Sequence, residues 1–277
     1  MIDAHHHFWN PARIPQTWMT PADTIINRAF EPADLEPLLE PAEVTRTVVV
    51  QSAARDDDTD YLFELVDGVR WVGAVVAWMR LDDRAATLAR LRELRERPKL
   101  RGIRHLIHQE TDPHWILRAE VQASLEALAD EDLVLELPAV YPNHLADVPE
   151  LARRHPQLTL VIDHLAKPPL GTAEMERWRD QLAAAAEHPR VVAKISGLNS
   201  VAPPDWGPDD LAPAVSAAFE CFGPRRLMLG SDWPVALLNG GYGDVLSRTA
   251  AAVRAVAGAD AETIFSATAA RLYRLDP

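Results

Sequence analysis

Eight short apolar runs, set roughly 25 to 40 residues apart, constrain this chain more than any other feature. They are IDAHHHF from Ile2, RTVVVQ to Gln51, WVGAVVAW to Trp78, LRGIRHLI from Leu100, LVLELPAV from Leu133, LTLVIDH to His164, RVVAKIS to Ser196 and RLMLGSD to Asp232. Each is rich in Val, Ile and Leu, and mostly continuous rather than alternating. Strands that read this way are buried on both faces, as in a parallel sheet. Between them lie stretches of helical character. RAATLARLRELRER, for instance, sets Leu88, Leu91 and Leu94 near helical spacing. EVQASLEALADE, HLADVPELARRH, AEMERWRDQLAAAAEH and GDVLSRTAAAVRAVAG read alike. DLEPLLEPAEV is a shorter helix punctuated by proline, and ETIFSATAARLYRL closes the series. Eight strand–helix units in this length predict a single α/β domain over residues 1–277, a (β/α)8 TIM barrel.

The composition suits such a core, with hydrophobic residues at 48%. Twenty-eight Lys and Arg against 41 Asp and Glu leave a net charge of −13, which argues against nucleic acid or an anionic membrane as partner. No apolar run approaches the roughly 20 residues of a membrane span. Cys221 is the one cysteine, and the polar opening lacks a basic segment followed by an apolar one. A soluble, cytoplasmic protein is expected, with a homo-oligomer left open. Lysine stands only at Lys99, Lys167 and Lys194; the other 25 cations are Arg. Codon bias accounts for most of that, yet Lys167 and Lys194 remain places where a compact ammonium is wanted.

In a barrel the chemistry sits at the C-terminal ends of the strands. The first run carries His5, His6 and His7. Strand alternation turns His5 and His7 to one side and His6 to the other. A His-x-His pair offers two imidazoles to one ion or one oxygen. Three histidines alone are equally the remnant of a tag, although Ile2 and Phe8-Trp9 flank them as barrel sequence would. The sixth run ends in Asp163-His164 and the eighth in Ser231-Asp232-Trp233-Pro234. A lone His there is usually a core or capping residue, and a lone Asp before Trp-Pro a turn residue. Together, His5, His7, His164 and Asp232 come from three strands that converge at one mouth.

IDAHHHFW, GIRH, DHLAKP, KISGL and LMLGSDWPV resemble the motif series of the amidohydrolase superfamily. They are most similar to its amidohydrolase-related branch, which contains sugar-acid lactonases such as L-fuconolactonase and L-rhamnonolactonase. The similarity runs nearly end to end. It implies a distorted barrel with His5, His7, His164 and Asp232 as a metal-binding constellation. Metal-dependent relatives add a carboxylated lysine or Glu on strand four and a His on strand five. Here strand four offers Arg104 and His105, and strand five ends Glu136-Leu137-Pro138-Ala139. The resemblance therefore implies one divalent ion, zinc foremost, or a site that works without metal.

The expected reaction is hydrolysis of a small sugar-acid lactone in carbohydrate catabolism. Asp232 is the general base, His164 is catalytic with it, and the three histidines polarise the carbonyl directly or through one ion. Gln51, Trp78, Arg104, His105 and Trp233 are candidate substrate contacts. Arg104 is also a candidate partner for a barrel carboxylate, and Lys194, sharing a face with Ser196, for interior ion pairing. Trp9, Trp18 and Trp206 stand in loops where an aromatic can stack on a sugar or simply pack. Two rivals share the branch: a hydrolase of a carboxylated aromatic-catabolite lactone, and a metal-dependent decarboxylase. A catalytically silent binding barrel is the rival of another class.

Overall fold

The computed structural model describes residues 1–20 and 22–275, and among these eight strands form one parallel sheet. The strands are β1 (Ile2–His6), β2 (Arg46–Val50), β3 (Val72–Ala77), β4 (Leu100–Arg104), β5 (Val134–Leu137), β6 (Thr159–Ile162), β7 (Val191–Ile195) and β8 (Leu227–Leu229). They pair in sequence order. Helices α1 (Pro32–Leu39), α2 (Asp56–Val66), α3 (Arg84–Leu94), α4 (Ala119–Ala129), α5 (Asn143–Arg154), α6 (Met175–Ala186), α7 (Pro208–Phe222) and α8 (Tyr242–Ala257) alternate with them, and α9 (Thr268–Tyr273) follows. This is the expected (β/α)8 barrel. None of the described helices is long and apolar enough to cross a membrane.

The continuous runs are explained by two apolar environments. Alternate strand residues, among them Ala4, Val48, Val50, Val76, Val161 and Met228, fill the barrel with Ala269, Tyr273 and Leu275. The other set packs outward under the helices. Tyr273 thus brings α9 against the floor of the barrel, where its hydroxyl donates to Glu136 Oε1. Tyr273→Phe keeps the ring and strips a buried carboxylate oxygen of its donor. We expect a loss of about 1.5–3 kcal/mol, typical of a hydrogen bond to a charged group. It should read as a lower urea midpoint at unchanged slope; an unmoved midpoint would show that the bond contributes nothing.

Two helices carried little signal in the sequence. α2 opens with Asp56, Asp57 and Asp58, which favour a helix start by charge rather than apolar spacing. α7 begins at Pro208, the end of a proline-rich stretch that reads as loop. The closing helix is also interrupted, by a π-helical turn at Thr263–Ala267 before α9.

The strands stop short of the polar residues that end each run. β6 ends at Ile162, and His164, Leu165, Ala166 and Lys167 then adopt left-handed backbone, with φ of 50 to 57°. Such a run costs roughly 1–2 kcal/mol per residue and needs external support. The Trp178 indole donates to Leu165 O at 2.9 Å, and Tyr141 N to Ala166 O at 2.9 Å. β8 ends at Leu229, so residues beyond it close the seam with β1. Asp232 N donates to His5 O at 2.8 Å and His7 N to Trp233 O at 2.7 Å. The buried Asp3 carboxylate accepts Ser231 N at 2.8 Å and Ser231 Oγ at 2.7 Å. Gly230 is required there, since a Cβ would lie 2.8 Å from His5 Cβ. Closing the barrel and setting Asp232 against His5 are therefore one event.

Candidate active site

The histidines of β1 divide as alternation requires. His5 Nε2 and His7 Nε2 face each other at 3.3 Å. His6 turns behind the strand to Thr47 Oγ1, 2.8 Å away, where burial lowers its pKa to about 3. The left-handed turn after β6 aims His164 Nε2 at Asp232 Oδ1, 3.8 Å away. Asp232, itself at φ 61°, sets Oδ1 3.3 Å from His7 Nε2 and 3.7 Å from His5 Nε2.

Partners behind the rings assign their protons. His7 Nδ1 donates to Val50 O at 2.8 Å, which leaves a lone pair on Nε2. Arg104 Nη1 lies 3.3 Å from His5 Nε2 and can only donate, so that nitrogen also keeps its lone pair. On the other side of the ring, His5 Nδ1 lies 3.3 Å from Asp163 Oδ1 and 3.1 Å from the Lys194 ammonium. His164 Nδ1 pairs with Ser196 Oγ at 2.9 Å. Burial, and then Lys194, hold His5 well below the usual histidine range, and burial lowers His164. Burial alone would raise Asp232, but the surrounding histidines, His164 foremost, outweigh it and hold the carboxyl low. At neutral pH Asp232 is therefore a carboxylate.

This donor set fits one metal ion. Lone pairs on His5 and His7 and a carboxylate oxygen confront one another without a proton to share, an arrangement that a cation relieves. A tetrahedral zinc with bonds of about 2.0–2.1 Å would separate its ligand atoms by about 3.3 Å. The edges here are 3.3, 3.3, 3.7 and 3.8 Å. His5, His164 and Asp232 form a buried group able to hold an ion, and His7 adds a fourth donor. Strand five supplies no further ligand at this face; its Glu136 points down into the barrel toward Lys194.

Above the set opens a cavity of about 170 Å³. His7, Arg104, His164 and Asp232 form its floor, Trp18, Leu106 and Val140 its walls, and Lys167, His108 and Gln109 its cationic and polar rim. The sequence candidates separate here. Arg104 lines the cavity and also pairs with Asp163 Oδ2 at 3.1 Å. Gln51, Trp78, His105 and Trp233 lie outside the lining. Gln51 is buried with Nε2 on Arg104 O. His105 stacks on Trp115 at 4.1 Å and pairs with Glu110, with Trp78 on its other side. Trp233, 1% exposed, packs edge-on against Phe8 and Phe30. Trp9 and Trp18 reach the cavity, whereas the Trp206 indole is spent on Asn239 O. Sequence reasoning missed Ser52, His108, Gln109 and Ser200. His108 had a signal, lying three residues beyond His105 in the same run.

The sequence model of the amidohydrolase family matches residues 2–275. An L-fucono-1,5-lactonase of Burkholderia ambifaria is 39% identical, over 99% of this chain and 96% of its own. One from Burkholderia multivorans is 35% identical over the same shares. The crystal structure of a Burkholderia multivorans amidohydrolase with bound zinc superposes with a TM-score of 0.90, at 33% identity and 99% coverage of both chains.

Proposed function

The chain belongs to the amidohydrolase family, and from that premise we propose that it hydrolyses a sugar-acid lactone to the free acid, with Asp232 moving the proton. The observation that carries this reading is the buried Asp232 carboxylate, ringed by His5, His7 and His164 at the cavity floor. Two L-fucono-1,5-lactonases among the relatives support the substrate class.

Asp232 takes a proton from water as the water oxygen bonds to the lactone carbonyl carbon. Arg104, whose Nη1 reaches the same floor, donates to the oxyanion that forms. The ring C–O bond then breaks, and Asp232 returns its proton to the leaving alkoxide. His164 holds the carboxylate from the far side and keeps it ionised. A divalent ion such as zinc on His5, His7, His164 and Asp232 would polarise the carbonyl and acidify the water. Trp18 offers an apolar wall to the sugar's C–H face. Among the described residues Arg104 is the one arginine in the lining, which favours a neutral polyol over a dicarboxylate.

A panel of sugar-acid lactones in weak buffer, followed by pH indicator, tests the reading. We expect a 1,5-lactone of a six-carbon deoxy sugar acid to be hydrolysed fastest, each turnover releasing one proton. Dipicolinate should slow it by about tenfold or more, and zinc should restore it, if the ion supplies the several kcal/mol of carbonyl polarisation usual for a Lewis acid. A panel left at the uncatalysed rate, with hydrolysis of carboxylated pyrones instead, would move the assignment to the dicarboxylate rival.

A further inference from the structure

Below the four-donor set lies a second group of ligand atoms, which the proposed reaction does not use. His5 Nδ1, Glu136 and Asp163 are fully buried and close enough to hold an ion of their own. Its centre is taken by Lys194. The ammonium stands 2.6 Å from Glu136 Oε2, 3.1 Å from His5 Nδ1 and 3.5 Å from Asp163 Oδ1. Both carboxylate oxygens are buried without a well-directed hydrogen bond, so they answer a point charge, as metal ligands do. Tyr273 fixes Glu136 from below, and Arg104 fixes Asp163 through Oδ2. The cradle therefore does not depend on Lys194 for its shape.

We propose that Lys194 is a resident cation: its ammonium fills a second metal position beneath the catalytic set, and a neutral side chain there opens that position to a divalent ion. Charge shows why wild-type protein excludes one. With both carboxylates ionised, Glu136 and Asp163 balance Lys194 and Arg104, and a further dication would sit unpaired in a dry interior. Lys194→Met removes one positive charge. A divalent ion at the vacated position meets the same two carboxylates and His5 Nδ1, and supplies the charge that they lose. His5, with Nε2 toward the upper set and Nδ1 toward this cradle, becomes a bridge between the two positions. One imidazole nitrogen and two carboxylates suit zinc or manganese.

The inference rests on the one-ion reading of the upper set, and stoichiometry separates the two. Purified wild type, Lys194→Met, Lys194→Arg and the double variant Lys194→Met/Glu136→Gln are loaded with zinc, dialysed and assayed for zinc per chain. We expect one, two, one and one. One zinc in both wild type and Lys194→Met overturns the resident cation and leaves the upper site standing. None in wild type and one in Lys194→Met does the reverse. None in either overturns both, and two in wild type overturns the resident cation. Should Lys194→Met fold only with zinc, its melting temperature must rise on zinc addition while that of Lys194→Arg gains no more than wild type. Should it not fold at all, wild-type crystals soaked in manganese decide. Anomalous density against Glu136 and Asp163 beside an ordered Lys194 overturns the proposal; density confined to the upper set supports it.

Discussion

Asp232→Asn should lower kcat for lactone hydrolysis by about 10³-fold, within the range that a positioned general acid–base contributes. The substitution isolates the chemistry because it leaves the backbone alone. Asp232 sits at φ 61°, a conformation that asparagine tolerates better than most residues. Its N–H still reaches His5 O, and its carbonyl still accepts Ala236 N. What changes is the atom facing the water, since an amide oxygen does not take up a proton at neutral pH. A carboxyl held low by its histidine neighbours stays ionised through the mildly acidic range. Activity lost on acidification would therefore report protonation of His5 or His164, which burial holds below the usual histidine range, and not of Asp232. Initial rates at saturating lactone, beside metal content, give the measurement. A variant within tenfold of wild type at equal metal content would remove Asp232 from the proton path.

The upper site was legible because its residues end apolar runs. His5 and His7 follow from strand alternation, and His164 and Asp232 stand where buried sequence gives way to polar. The network beneath was legible only in part: Arg104 and Lys194 read as interior ion-pairing residues, but their carboxylate partners did not. Glu136 and Lys194 sit on β5 and β7, and Asp163 just past β6, in runs whose hydrophobicity signals only burial. Nothing in one sequence pairs Lys194 with Glu136, 58 residues before it, although the scarcity of lysine marked the position. Trp233 shows the opposite error. An aromatic at a strand end reads as a sugar platform, but the seam of β1 and β8 needs an apolar plug, and Trp233 fills it between Phe8 and Phe30. The left-handed turn that aims His164 escaped notice for another reason: its residues, Leu165 and Ala166 among them, have no intrinsic preference for positive φ, and tertiary contacts impose it.

Gly197 is the position at which that geometry is most exposed to a single methyl group. It lies just past β7 at φ 59°, and a Cβ there would stand 2.7 Å from both Asp232 Oδ2 and His164 Nδ1. Neither neighbour can yield freely. Asp232 is tied through the β1 seam, and His164 is held by Ser196 Oγ and by its own left-handed backbone. Gly197→Ala should therefore displace the carboxylate or the ring by a few tenths of an ångström to 1 Å. A misplacement of that size can cost about 10²-fold in rate. Positive φ adds about 1–2 kcal/mol of destabilisation. Gly171→Ala separates the two effects, because Gly171 shares the conformation, at φ 70°, and has nothing within 4 Å of its would-be Cβ. We expect both variants to lose stability in urea by similar amounts, and Gly197→Ala alone to lose kcat. Equal rate losses in the two would place the cause in backbone strain and not in crowding of the Asp232–His164 pair. An unchanged rate in Gly197→Ala would mean that the pair tolerates displacement, which a proton shuttle bound to one position does not.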